Sequence, residues 1–283
     1  MPDIALAGRL YFMALWWAVK LALLQLRVTG GAPHLNLARA EAAIAEAAAA
    51  GANVALLPEA LDLGWTHRSA RFAAENIPGG ESCTRLRAAA RQHGVYVCAG
   101  LIERAGPLVF NAAVLIDPHG EVILHHRKIN ELAIAHDLYA LGDRLAVART
   151  PLGVFGVMIC ADGFAHGQSI SRALGLMGAE VILSPCAWAV PADHDNDNEP
   201  YGRLWLDNYG PVARDYGLWI AGCSNVGPID DGPWRGRVCI GNSLVVGPDG
   251  QPKLRGPFGQ DAEAVLHVEI KRDPLRCRRS EGG

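Results

Sequence analysis

Three residues that can do chemistry stand at the ends of three strand-like runs. Cys160, Glu59 and Lys128 each follow directly on a largely apolar stretch that is bounded by turn residues. Such stretches are typical of buried strands, and open α/β sheets and layered folds build their sites at the carboxyl ends of strands. A thiol, a carboxylate and an ammonium gathered at strand ends predict an active site.

Each residue has a definite use in such a site. A cysteine is a useful nucleophile only as its thiolate, which a nearby base or cation favours. A carboxylate beside an apolar strand end is partly desolvated, so the pKa of Glu59 should rise and Glu59 can act as a general base. Lys128 can supply positive charge to a developing oxyanion. Catalysis needs all three residues and packing needs none, so their joint occurrence favours catalysis.

At this point a family resemblance becomes specific. The segments Leu56–Glu59, His126–Lys128 and Met158–Asp162 resemble the three signature segments of the nitrilase (carbon–nitrogen hydrolase) superfamily. They stand in the family's order with similar spacings, and the similarity runs from about residue 20 to residue 270. Two further stretches take part in it: Gly178–Pro185 and Gly241–Ser243.

The resemblance implies a Glu-Lys-Cys triad. Glu59 would take the proton of Cys160, whose sulfur attacks a carbonyl or nitrile carbon, and Lys128 would stabilise the tetrahedral intermediate. Glu59 would then protonate the departing ammonia or amine and activate the water that hydrolyses the thioester. The main-chain N–H of Ala161 is expected to bind substrate at the oxyanion site. No metal and no organic cofactor is implied.

The family usually carries a second glutamate beyond the lysine, and here two residues compete for that role. Glu131 keeps the residue type but comes early, whereas Asp137 stands nearer the expected position with a shorter arm. We expect Glu131 to act beside the triad and keep Asp137 as a substrate-binding alternative. Trp188, which follows a strand beyond Pro185, is expected to line the substrate pocket.

The periodicity alternates between strand and helix along most of the chain. Both halves read as helices between parallel strands followed by a hairpin, with turns at 117–120 and 247–250. In the second half the hairpin is predicted to join strands 243–246 and 264–270. This order predicts an α/β fold of nitrilase type, a four-layer α-β-β-α sandwich.

One domain is predicted for residues 19–272. Residues 1–18 are interpreted as an N-terminal apolar extension, and residues 273–283 as a basic C-terminal tail. Neither half of the apolar stretch near the N-terminus reaches the ~20 residues that cross a bilayer, so no transmembrane helix is expected. The resemblance also implies a homo-oligomer, in which a subunit interface would cover the extension.

Composition and residue spacing exclude several classes of binding partner. Of 283 residues 50% are hydrophobic and 19% charged, the formal net charge is −3, and no basic stripe occurs, so neither nucleic acid nor membrane is an expected partner. The seven cysteines are odd in number and never form CxxC, which argues against disulfides or a zinc knuckle and favours the cytoplasm. His125 and His126 point to opposite faces of a strand, and the acidic loop 193–199 lacks the glycine of a calcium loop, so no metal is expected.

We therefore predict a cofactor-free thiol hydrolase of a small amide or N-carbamoyl compound. Nitrile hydrolysis, acyl transfer to an amine and a non-catalytic metabolite-binding role stay open as alternatives. The loops 62–78 and 193–202 are the natural specificity walls. On them or beside them lie three arginines that can bind a substrate carboxylate: Arg68, Arg71 and Arg203.

Overall fold

The computed structural model describes residues 18–271. The predictions for the N-terminal extension up to residue 17 and for the tail 273–283 lie outside the described residues. Fifteen strands occur in the described part of the chain: β1 (Ala18–Gln25), β2 (Val54–Leu56), β3 (Tyr96–Ala105), β4 (Leu108–Ile116), β5 (Val122–Arg127), β6 (Val147–Thr150), β7 (Gly153–Val157), β8 (Val181–Cys186), β9 (Ala189–Pro191), β10 (Trp219–Ser224), β11 (Val226–Pro228), β12 (Arg237–Ile240), β13 (Leu244–Val246), β14 (Pro252–Arg255) and β15 (Ala264–Lys271). The same part has five α-helices: α1 (Pro33–Ala49), α2 (Ala70–Ala73), α3 (Glu81–His93), α4 (Ser169–Leu176) and α5 (Gly202–Tyr216).

Two six-stranded sheets carry the fold. The first has the order β15-β1-β2-β3-β4-β5, and the second has the order β14-β13-β10-β8-β7-β6. The inner strands are parallel in both sheets: β1, β2 and β3 in the first, and β7, β8 and β10 in the second. A small sheet, β11-β12-β9, adds a third group of strands.

Apolar side chains fill the spaces between four layers. On one outer face the helices α1 and α3 pack against the first sheet through residues such as Ile44 and Leu86. Between the two sheets lies a second cluster that includes Leu23 and Leu183. On the other outer face α4 and α5 pack against the second sheet, with Leu174 among the buried residues. The predicted α-β-β-α sandwich is therefore confirmed.

The helix α1 illustrates how sequence produces this layering. Its buried positions include Leu37, Ala40, Ile44 and Ala47, which recur at intervals of three and four residues and so form one apolar stripe. Pro33 stands in the first turn, where its missing N–H costs no hydrogen bond. The stripe directs the helix onto the sheet that carries Glu59 at the end of β2.

The first predicted hairpin is confirmed and the second is wrong. The strands β4 and β5 pair antiparallel across the turn at 117–120. In the second half the turn at 247–250 returns the chain directly from β13 to β14, because Gly247 N–H donates to the Gln251 carbonyl at 3.0 Å. The strand β15 instead crosses to the first sheet and pairs with β1. A four-residue turn pairs the strands next to it, and this leaves β15 free to close the edge of the other sheet.

Candidate active site

A tight turn after β2 fixes Glu59. Ala60 adopts the left-handed backbone region at φ 48°, and Glu59 N–H donates to the Cys186 carbonyl at 3.2 Å. Gly100 lies so close that a Cβ there would be 2.5 Å from the Glu59 Cα. Only glycine permits this approach, and the result is a carboxylate that is 1% exposed.

Lys128 lies immediately after β5 and joins two carboxylates. Its Nζ is 2.8 Å from Glu59 Oε1 and 2.9 Å from Glu131 Oε1, and its side chain is 2% exposed. Asn111 Nδ2 donates to Glu59 Oε1 at 2.7 Å and to Glu131 Oε2 at 2.9 Å. The Nζ atom also lies 5.6 Å from the centroid of the Trp65 ring. The geometry thus produces one buried ammonium shared between two carboxylates.

The proton affinities of this cluster follow from burial and charge. Burial raises the pKa of Glu59, and the neighbouring charge of Glu131 raises it further, so that the opposing effect of Lys128 does not restore the ordinary value. Burial alone would lower the pKa of Lys128, but the two carboxylates outweigh it and raise that pKa well above its ordinary value. Glu59 is therefore suited to accept a proton while Lys128 stays charged.

Cys160 stands on a strained turn beside this cluster. It opens the 3-10 segment Cys160–Phe164 at φ 43°, a left-handed conformation that a non-glycine residue adopts only when its surroundings impose it. The residue is half-buried. Burial raises the pKa of its thiol well above the ordinary value, with a hydrogen bond to Cys186 and the Glu59 charge acting in the same direction. At rest the sulfur carries its proton, so nucleophilic attack requires a base.

A third buried carboxylate, Asp162, connects the cysteine turn to the loop after Lys128. Asp162 Oδ2 lies 2.8 Å from His126 Nε2 and accepts the Ile159 N–H at 2.9 Å. Its Oδ1 accepts the Ile129 and Asn130 N–H groups at 3.1 and 2.7 Å. Although burial alone would raise the pKa of Asp162, these hydrogen bonds, that of His126 foremost, lower it. Asp162 stays ionised and holds the chain on both sides of the site.

The structure brings most of the expected site residues to one place. Glu131 lies against Lys128, whereas Asp137 is on the exposed surface, where its carbonyl accepts a hydrogen bond from Arg71 at 3.2 Å. Ala161 is buried, and its carbonyl accepts a hydrogen bond from Asn130 Nδ2 at 2.6 Å. The expected roles of these residues remain predictions.

Trp188 lies deeper than the sequence suggested. Its side chain is 0% exposed, and its ring stacks on Trp205 with centroids 4.6 Å apart. Both rings belong to the packing cluster against which Cys160 lies. Trp188 therefore belongs to the buried cluster against which Cys160 packs, and contact with a substrate remains a prediction.

The three arginines considered for a substrate carboxylate point elsewhere. Arg68 Nε is 2.7 Å from Asp231 Oδ1, and Arg203, whose side chain is 82% exposed, is 3.7 Å from Asp207 Oδ2. Arg71 is exposed as well. Each of these cations already has a polar partner at the surface.

Sequence reasoning missed Asn111, His126 and Asp162. One signal was present for Asn111, because it is a lone amide in the otherwise apolar strand β4. Asp162 was visible as the carboxylate two residues after Cys160. Its partner His126 is 36 residues distant in sequence, and only the fold brings the two together.

Residues 18–271 contain neither a candidate metal site nor a candidate membrane span. In this part of the chain no group of three or more histidine, cysteine, aspartate or glutamate side chains is placed to hold a metal ion. Within the same residues no helix is both long and apolar enough to cross a membrane.

Comparison with known proteins identifies the family. The sequence model of the carbon–nitrogen hydrolase family matches residues 20–279. The chain belongs to this family and is a carbon–nitrogen hydrolase, as the three signature segments predicted.

Individual relatives bear different names. The chain is 36% identical over 257 residues to a nitrilase from Pyrococcus abyssi, a match that covers 89% of this chain and 90% of the relative. It is 28% identical over 275 residues to a chloroplastic omega-amidase from Arabidopsis thaliana, covering 92% of this chain and 69% of the relative.

Solved structures support the fold. An amidase of the nitrilase superfamily from Nesterenkonia AN1 superposes with a TM-score of 0.75 at 26% identity, covering 93% of this chain and 95% of the other. A carbon–nitrogen hydrolase from Helicobacter pylori superposes with a TM-score of 0.80 at 22% identity, covering 93% of this chain and 92% of the other, and it supports the fold alone.

Proposed function

We propose that the protein hydrolyses the C–N bond of a small, uncharged carboxamide through a thioester on Cys160. The observation that carries this proposal is the half-buried thiol beside the buried cluster of Glu59, Lys128 and Glu131. The cluster offers Glu59, a base whose pKa is raised, and Lys128, a cation that stays protonated because its own pKa is raised. These are the two aids that a protonated thiol needs for acyl chemistry.

The reaction begins when Glu59 accepts the thiol proton and the Cys160 sulfur adds to the amide carbon. Lys128 and the main-chain N–H of Ala161 stabilise the negative oxygen of the tetrahedral intermediate. Glu59 returns the proton to the leaving nitrogen, ammonia departs and a thioester remains. Glu59 then accepts a proton from water, which attacks the thioester; the C–S bond breaks, the acid departs, and Glu59 returns the proton to the Cys160 sulfur. Glu131 keeps Lys128 in place throughout.

Charge supports an uncharged substrate over an N-carbamoyl amino acid. The described cluster contains two carboxylates and one ammonium, so a third negative charge near it is repelled. Of the three arginines that could offset such a charge, Arg68 and Arg203 lie beside Asp231 and Asp207, and Arg71 donates to the Asp137 carbonyl at the surface. An N-carbamoyl substrate with a free carboxylate therefore suits this site less well than a neutral amide.

Nitrile hydrolysis is the second candidate, because the Pyrococcus abyssi relative, at 36% identity, is named a nitrilase. The same residues would serve it. The thiol adds across the C≡N bond to give a thioimidate, and water then displaces ammonia to reach the same thioester.

The test is ammonia release by the purified protein from neutral amides, N-carbamoyl amino acids and nitriles. We expect release from neutral amides, abolished by Cys160→Ala and retained by Cys83→Ala, which removes a buried thiol from α3 in the outer core. Release from nitriles alone would replace the amide proposal with the nitrile one. Formation of a hydroxamate at the expense of acid when hydroxylamine is added would identify acyl transfer.

The remaining expectations are part of the same proposal. We propose one catalytic domain over residues 19–272, a homo-oligomer, a cytoplasmic location, and neither nucleic acid nor membrane as a partner. Light scattering of the full chain and of a truncated protein that lacks residues 1–18 tests the oligomer. An unchanged subunit number after truncation would show that the extension does not form the interface.

A further inference from the structure

A second thiol lies next to the nucleophile. The strands β7 and β8 are parallel neighbours in which Val157 aligns with Leu183. Cys160 and Cys186 each stand three residues beyond that aligned pair. Neighbouring strands are about 4.8 Å apart, and a disulfide joins Cα atoms about 4.4–6.8 Å apart. The paired register ends at Val157 and Leu183, and the Met158 N–H still donates to the Leu183 carbonyl at 3.2 Å, so the turn at Cys160 leaves the sheet beside the end of β8 that carries Cys186.

The side-chain contacts of the two cysteines agree with this placement. Cys160 packs against the buried side-chain cluster that contains Cys186. The Cys186 S–H donates to the Ser184 carbonyl at 3.2 Å, and its sulfur is 3.4 Å from Ser184 Oγ. These contacts fix the orientation of the Cys186 side chain at the end of β8, and hydrolysis leaves its sulfur unused.

Access to the two thiols is unequal. Cys160 is half-buried, whereas Cys186 is 0% exposed. A small oxidant that enters the site therefore meets Cys160 first. Glu59 is the base beside it that can accept the thiol proton, and the thiolate is the form that reacts with peroxides.

We propose that Cys186 is the resolving thiol of an oxidation site at Cys160, with hydroperoxides as the reacting class. The Cys160 thiolate attacks one peroxide oxygen and the O–O bond breaks, which yields a sulfenic acid and one hydroxide or alkoxide ion. The Cys186 sulfur then attacks the sulfenic sulfur, an S–S bond forms, and the hydroxyl leaves as water with the Cys186 proton. One peroxide is reduced by two electrons, and the two thiols lose two hydrogens.

The consequence is protection of the nucleophile. The disulfide inactivates the hydrolase, but a thiol reductant restores both cysteines. Without Cys186 a further peroxide would carry the sulfenic acid to a sulfinic acid, which reductants do not reverse. The inference requires a reactive Cys160 and is independent of which substrate the enzyme hydrolyses.

The chain is well suited to a test by peptide mass. Trypsin cuts after Arg149, Arg172 and Arg203, so peptide 150–172 contains Cys160 as its sole cysteine and peptide 173–203 contains Cys186 as its sole cysteine. The folded protein is treated with hydrogen peroxide, alkylated and digested without reductant. We expect the two peptides linked, with two hydrogens lost, and we expect dithiothreitol to separate them and to restore the untreated activity.

Three variants sharpen the experiment, each compared with its own untreated sample. In Cys186→Ala we expect dimedone to label Cys160, and excess peroxide to produce a sulfinic acid and a loss of activity that dithiothreitol does not reverse. Cys223→Ala and Cys239→Ala remove the other buried thiols of this region and should behave like the unmodified protein.

Several results would overturn the proposal. These are an unmodified Cys160 after peroxide, a linkage of Cys160 to a cysteine other than Cys186, or full recovery of Cys186→Ala after excess peroxide. The peptide masses need no substrate, so a failure of the hydrolase proposal and a failure of this one are separately visible.

Discussion

Arg127 and Lys128 are consecutive residues, yet the carboxylates that they bind have pKa values shifted in opposite directions. Arg127 donates two hydrogen bonds of 2.7 Å to Glu103, and His125 Nε2 lies 3.0 Å from the same carboxylate. Partial burial opposes ionisation there, but these donors outweigh it and lower the pKa of Glu103 to about 2. The pKa of Glu59, bound by Lys128, is raised.

The two sites differ in the number of basic side chains per carboxylate and in the exposure of those side chains to solvent. Glu103 is one carboxylate with two basic partners, and the Arg127 side chain is still 33% exposed. Glu59 shares one fully buried ammonium with Glu131. At the end of β5, Arg127 therefore belongs to a permanent ion pair, whereas Lys128, one residue later, binds a carboxylate that can take up a proton.

The largest difference should appear when each cation is removed. Lys128→Met leaves two buried carboxylates without a counter-charge and should lower the free energy of unfolding by about 3–5 kcal/mol. Arg127→Met should lower it by about 1–2 kcal/mol, because Glu103 keeps His125 as a partner and the Arg127 side chain, at 33% exposure, is already partly solvated. Urea unfolding at pH 7 measures both. Equal losses would mean that the two pairs are equivalent.

The carboxylates should differ in catalysis. Glu59→Gln removes the proposed base and should lower kcat by roughly 10³-fold, whereas Glu103→Gln should keep turnover within about threefold of the unmodified enzyme. Steady-state ammonia release measures both variants in parallel. A comparable loss in the two variants would contradict the assignment of the base.

Loss of the hydrogen bonds by which Asp162 holds the chain on both sides of the site (the Asp162 clamp) should lower kcat by an intermediate amount. Asp162→Asn places an amide where backbone N–H groups converge and should displace the Cys160 turn, at a cost of about 10²-fold in kcat. A positioning role predicts that KM is preserved and that the alkylation rate of Cys160 falls along with kcat. Unchanged kcat in a folded Asp162→Asn protein would refute the clamp.

Acid should remove the contribution that the ionised Glu103 makes to the free energy of unfolding. The pKa of Glu103 is lower in the folded protein than its ordinary value of 4.5, so its pairing stabilises the fold above pH 4.5 and is lost as the pH falls towards 2. We expect Glu103→Gln to cost about 2 kcal/mol at pH 7 and little near pH 2. Denaturant unfolding at several pH values tests this, and a cost independent of pH would contradict it.

Features of the fold and the site that local sequence patterns encode could be predicted, whereas pairings between residues distant in the sequence could not. Glu59, Lys128 and Cys160 could be found because each ends a strand-like run, and the layers followed from alternating periodicity. The choice between Glu131 and Asp137 needed the backbone path through the 3-10 turn at Ala133–Ala135, which no pattern specifies. Asn111, His126 and Asp162 matter through partners 20 to 52 residues away, and such pairings exist only after folding.

We infer that Glu59 accepts a proton readily because Glu131 shares its counter-ion, Lys128. The most direct measurement is the pH dependence of Cys160 alkylation by iodoacetamide, read from peptide 150–172, in the unmodified protein and in Glu131→Gln. Alkylation should decline in acid as Glu59 becomes protonated, with a midpoint above the ordinary 4.5, because the pKa of Glu59 is raised. In Glu131→Gln one negative charge is gone, so the pKa of Glu59 should fall and the midpoint should move to lower pH. A midpoint that stays in place or moves to higher pH would contradict the account.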